Sequence, residues 1–168
     1  GTINFAKIKV EAGKGSLTNT NNKDYEVKQS ETVNGIVVFE GEYTARRLAV
    51  NPNEFTVTMN TPTAQLSAND YITFHLFVAG EEVQTVDMDA SSFVAGSPNV
   101  HKVTELFDEV AVAEDGKVAI KLVADVYLSS AVKHEFNLEL AGQDENGNPA
   151  GIADEDTRKL DVKSQGSV

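Results

Sequence analysis

Apolar residues in this chain recur at every second position, and that period constrains the fold more than any other feature. Phe55, Val57 and Met59 alternate with Glu54, Thr56 and Thr58; Ile72, Phe74, Leu76 and Val78 do the same. Val118, Ile120, Leu122, Ala124 and Val126 form a third run, and Phe136, Leu138 and Leu140 a fourth, set against Glu135, Asn137 and Glu139. Successive side chains of a strand point to opposite faces, so such runs are strands with one buried and one wet face. Turn-forming residues separate them at Asn51-Pro52-Asn53, Ala79-Gly80-Glu81, Glu114-Asp115-Gly116 and Glu145-Asn146-Gly147-Asn148. Short alternating strands with this punctuation indicate an all-β sandwich or barrel. The pattern predicts an antiparallel sandwich of about seven to ten strands. Phe55, Val57, Ile72, Phe74, Leu76, Val118, Ile120, Leu122, Phe136, Leu138 and Leu160 are its expected core.

One stretch departs from the period. Between Val100 and Val110, the positions Val103, Leu106, Phe107 and Val110 follow helical spacing, which predicts a helical turn or an irregular crossover. Ser91 to Val94 reads as a short edge strand. At the start of the sequence, Ile3 and Phe5 share one parity and Ile8 and Val10 the other, so a β-bulge or a change of sheet is expected near Ala6-Lys7. Ser16 to Asp24, rich in Asn and Thr, reads as a loop or hinge. The chain therefore divides into an N-terminal strand arm, residues 1–12, and a sandwich domain, residues 13–168. Such an arm either completes its own sheet or adds to a neighbour's, because main-chain pairing is indifferent to which chain supplies the strand. Ile3, Phe5, Ile8 and Val10 are the candidate assembly residues.

At 168 residues the chain can bury a sufficient core without a disulfide or metal, and it contains no cysteine. That excludes a thiolate metal site and a cysteine nucleophile. The formal charge of −12 repels phosphate backbones and anionic membrane surfaces, so neither nucleic acid nor membrane insertion is expected. No apolar run approaches the roughly 20 residues that span a bilayer.

The motifs of nucleophile elbows, phosphate-binding loops, dinucleotide sites and zinc proteases are missing, and the expectation is that the chain is not an enzyme. His75, His101 and His134 fall in three different elements, with nothing in their spacing to make them converge. Tryptophan is absent, which weakens sugar-binding readings, although Tyr25, Tyr43, Tyr71 and Tyr127 are available as platforms. The sharpest local pattern runs from Asp144 to Glu155. Asp144, Asn146 and Asn148 take the first, third and fifth positions of a calcium loop, and Glu155 takes the twelfth. Pro149 occupies the sixth position, where glycine makes the turn, and Ile152 the ninth. The same residues also read as a long polar hairpin loop.

The stretch GSLTNTNNKDYEVKQSETVNGIVVFEGEYTARRLAVNPNEFTVTMNT resembles modules of prokaryotic S-layer and other cell-surface proteins, through Gly15-Ser16-Leu17, Tyr43-Thr44-Ala45 and Phe55-Thr56-Val57. DEVAVAEDGKVAIKLVADVYLS resembles a later segment of the same modules. The resemblance covers roughly residues 13 to 163, and Arg46-Arg47 departs from it. It implies an immunoglobulin-like sandwich at the cell surface, a non-catalytic building block of an S-layer, pilus or biofilm-type fibre, with other copies of itself as partner and strand donation as the joint. The alternative is a carbohydrate-binding or adhesin module with a cell-surface glycan as ligand, which an exposed aromatic row on one sheet would distinguish.

Overall fold

The computed structural model describes residues 11–62 and 65–166. Their twelve strands are β1 (Lys14–Asn19), β2 (Tyr25–Lys28), β3 (Thr32–Arg46), β4 (Val50–Asn60), β5 (Tyr71–Val78), β6 (Glu81–Asp89), β7 (Phe93–Val94), β8 (Ser97–Leu106), β9 (Lys117–Tyr127), β10 (Lys133–Asp144), β11 (Ala153–Asp156) and β12 (Leu160–Lys163). A 3₁₀ turn, Ala90–Ser92, precedes β7. The number exceeds the expected seven to ten because β2, β7, β11 and β12 are short pieces of two to four residues, too brief to show a period.

The strands form two sheets packed face to face. One runs β1-β3-β9-β5-β6; the other runs β2-β12-β10-β4-β8-β7, with β11 also pairing to β10. As expected of an antiparallel sandwich, the named strands of the described residues pair antiparallel, with β2 and β12 running parallel at one edge. The alternating runs supply the inner faces as expected. Phe55, Val57, Ile72, Phe74, Leu76, Ile120, Leu122, Phe136, Leu138 and Leu160 are all buried, whereas Val118 is only half-buried near the start of β9. Phe74 and Phe136 meet edge to face across the two sheets, 5.7 Å between centroids, a geometry favoured by the aromatic quadrupole.

Three local expectations are corrected. Val100 to Val110 is not helical: β8 runs to Leu106, with Leu106 exposed and Phe107 buried just beyond the strand. Residues 14–19 are the edge strand β1, paired to β3 from Lys14↔Arg46 to Asn19↔Gly41, so the body begins in a strand and not in a hinge. The segment after it is tied as well, by Thr20 N donating to Glu40 O and by the Asn19 amide donating to Asp156 O. Asn51-Pro52-Asn53 lies within β4. Pro52 has no amide to donate, and the register slips opposite Ala141 and Gly142 to absorb it. A side chain at Gly142 would collide with the backbone of Asn51.

Candidate functional site

Gly13, which follows the candidate assembly residues in the sequence, is fastened to the body. Asp144, buried at the end of β10, accepts the Gly13 amide on Oδ2 at 2.9 Å and the amides of Asn146 and Asn148 on Oδ1 at 2.9 and 3.1 Å. The Gly13 amide, first among these donors, holds the Asp144 carboxyl below the usual aspartate range. In return Gly151 N donates to Gly13 O at 3.0 Å. Ile3, Phe5, Ile8 and Val10 themselves lie outside the described residues.

The same geometry places the candidate calcium ligands. Asp144, Asn146 and Asn148 do come together, but the two asparagines contribute their backbone amides to Asp144. Glu155 sits on β11 opposite Leu138, and its Oε1 accepts the amide of Asp156. Among the described residues no group of three or more His, Asp or Glu side chains is arranged to hold a metal ion.

The histidines separate into two environments. His75 lies on the outer face of the five-stranded sheet, with Nδ1 against Glu82 of β6 and Nε2 2.8 Å from Asp125 of β9. The second oxygen of Asp125 accepts the amide of Gly35. Partial burial disfavours the charged imidazole, but the two carboxylates outweigh it and raise the pKa of His75. His101 and His134 are both inside, on β8 and β10, at the end of the core beneath residues 65–70. Leu66 N donates to Nε2 of His101 at 3.2 Å. Among the described residues, Nδ1 of His101, both ring nitrogens of His134 and the hydroxyl of Thr61 have no hydrogen-bond partner. Desolvation pulls the pKa of His134 down to about 4, with nearby Asp70 opposing and His101 reinforcing the shift. Sequence spacing held no signal for this pairing, because one intervening strand, β4, brings the two together.

The tyrosines also divide. Tyr43 is buried over Gly15, where its ring occupies the space a side chain would need, and burial pushes its pKa up to about 12. Tyr25 lies beneath the guanidinium of Arg158, 5.2 Å from the ring centroid. Tyr71 and Tyr127 stack on the outer face of the five-stranded sheet, 6.4 Å apart with ring planes 15° from parallel. Further along that face, Phe77 lies under the ammonium of Lys121 at 4.8 Å and floors an open groove of about 360 Å³ shared with Thr20, Glu40 and Glu42.

The edges of the sandwich are treated unequally. Strand β6 carries Glu81, Glu82, Asp87 and Asp89, the acidic edge that repels another strand. On the other side, β2 is paired along one edge only, to β12, and β1 covers β3 only from Gly41 to Arg46. Between β2 and the uncovered start of β3 runs a groove of about 400 Å³, with Tyr25, Val27 and Val33 in its lining and Glu26, Lys28, Glu31 and Lys163 around them.

No protein-family model matches the sequence, and no curated protein matches it. Several solved structures are similar in outline. BslA, described as a bacterial hydrophobin, aligns over 95% of this chain and 99% of its own at 12% identity, with a TM-score of 0.31. ACE19, the collagen-binding subdomain of the Enterococcus faecalis surface protein ACE, aligns over 92% and 99% at 9% identity and a TM-score of 0.28. A family 123 glycoside hydrolase from Clostridium perfringens aligns over 92% of this chain and 28% of its own at 9% identity, with a TM-score of 0.43. These similarities carry no statement about activity or partner.

Proposed function

We propose that this chain is a non-catalytic structural module of an extracellular surface assembly, joined to further copies of itself by donation of the strand-forming segment Ile3–Val10. One observation carries the reading: the attachment of that segment at Gly13. Asp144 and Gly151 clamp Gly13 to the body immediately before edge strand β1, so the segment is delivered at the rim of a sandwich whose own inner faces are already filled. A strand so placed can pair outward. Electron microscopy of the purified protein at high concentration tests this. Filaments or sheets support it, and dispersed particles at every concentration contradict it. The reading requires no calcium; calorimetry at millimolar calcium tests the loop of Asp144, Asn146, Asn148 and Glu155 separately, where binding heat and a raised melting temperature mark a site.

A second reading, an adhesin-type module that binds a cell-surface glycan, is favoured by the stacked Tyr71–Tyr127 pair and the nearby Phe77 groove on the outer face. Its test is titration with oligosaccharides of the wild type against Tyr71→Ala and Tyr127→Ala, in which binding lost in both variants supports it.

A further inference from the structure

The open groove between β2 and β3 lies at the opposite end of the molecule from Gly13, and that opposition determines what can fill it. Gly13 is held beside Asp144, the last residue of β10. Groove strand β2 is level with the first residues of β10, through Leu160, which pairs to Tyr25 on one side and His134 on the other. From His134 to Asp144 is ten steps along β10, about 33 Å at 3.3 Å per residue, and β2 runs on from the level of His134 away from Asp144. Ile3 is ten residues from Gly13 and reaches at most about 35 Å fully extended. Val10 stays within about 10 Å of Gly13. The segment Ile3–Val10 therefore cannot lie along β2 of its own molecule.

We propose that this groove is the acceptor for residues Ile3–Val10 of a second copy of this chain, so that copies join head to tail. The inference rests on the strand-donation reading and adds the site and direction of the joint.

Three features fit that occupant. Among the described residues the groove has two main-chain edges without a strand partner, β2 and the start of β3, so an added strand gains a hydrogen-bonding ladder. Tyr25, Val27 and Val33 give alternate apolar side chains somewhere to go, as a strand with Ile3 and Phe5, or Ile8 and Val10, on one face requires. Residues 1–10 contain Lys7 and Lys9 and no acid, and the lining offers Glu26 and Glu31 as partners beside Lys28 and Lys163. A joint that is head to tail and does not close on itself propagates as a filament.

The chain has no cysteine, so disulfide trapping reads the contact without background. Lys28→Cys places a thiol on an exposed residue of β2, where folding is not at risk. It is combined in turn with Ile3→Cys, Phe5→Cys, Ile8→Cys or Val10→Cys, and Phe93→Cys on the opposite edge strand β7 replaces Lys28→Cys as control. Oxidised full-length protein is run on non-reducing gels. The expected result is a ladder of covalent oligomers for Lys28→Cys with at least one arm position, and none for Phe93→Cys. A ladder with Phe93→Cys and not with Lys28→Cys overturns the groove while leaving strand donation standing. A disulfide confined to monomers overturns both. So does the absence of any ladder together with dispersed particles in the electron microscope.

Discussion

His134 is the residue whose burial has the clearest thermodynamic consequence. Both its nitrogens are inside the core without partners among the described residues, and its pKa falls to about 4. A histidine in the unfolded chain titrates near 6.5. Between those values the unfolded state binds the proton and the folded state does not, so stability falls as pH falls from about 6.5 to about 4. The gap corresponds to something on the order of 3 kcal/mol. The groups that face the pair are Asp70 and His101 for His134, and Asp89 for His101. His101 shares the direction: a proton on its Nε2 also abolishes its acceptance of the Leu66 amide. His75 works in the opposite sense. Its pKa is raised by Glu82 and Asp125, so its contribution is present below about 6.5 and is lost as pH rises through the raised value. Urea midpoints at pH 7, 5.5 and 4 check this. His134→Leu is expected to remove most of the acid-side loss, and an unchanged pH slope in that variant would contradict the assignment.

The elements that were easiest to read are those with one clean buried face. Strands β4, β5, β9 and β10 carry runs of alternating burial, broken in β4 and β10 around their shared register slip, and their inner residues form the core. Truncations there create cavities: Phe74→Ala is expected to cost about 3–5 kcal/mol and Leu122→Ala about 2–5 kcal/mol. Denaturant midpoints that barely moved in both would mean the faces are assigned wrongly. Strand β8 was illegible because its inner face is poor in hydrocarbon. His101 is its one fully buried residue, and the exposed Leu106 completes a helical spacing only by coincidence with Phe107 and Val110. Strand β1 was illegible because its inward positions are Leu17 and a glycine that yields its space to Tyr43. The two-residue turn between β5 and β6 was legible, but not its strain. Ala79 and Gly80 have φ of 53° and 83°, the left-handed region of a type I′ hairpin. Alanine is disfavoured there and asparagine preferred. Ala79→Asn is expected to stabilise the fold by about 0.5–1 kcal/mol, seen as a raised melting temperature; a lowered one would contradict the turn assignment.

At the scale of the molecule, the sandwich was legible in the sequence but not how its edges differ. That difference depends on long-range pairing: β12 returns to lie parallel to β2, and β1 stops short of covering β3, neither of which leaves a periodic trace. The outcome, among the described residues, is a body with an acid-guarded edge at β6, an open edge at β2, and Gly13 fastened to Asp144 at the far end. Burying two such apolar side chains of the segment in a neighbour contributes roughly 3–6 kcal/mol before the cost of ordering is subtracted. The most direct test compares the full chain with one lacking residues 1–11, by electron microscopy at the same high concentration and by circular dichroism. The account expects filaments or sheets from the full chain, and a truncated protein that stays folded with β-rich dichroism but no longer assembles. A truncated protein that unfolds as a monomer, or one that assembles as well as the full chain, would contradict it.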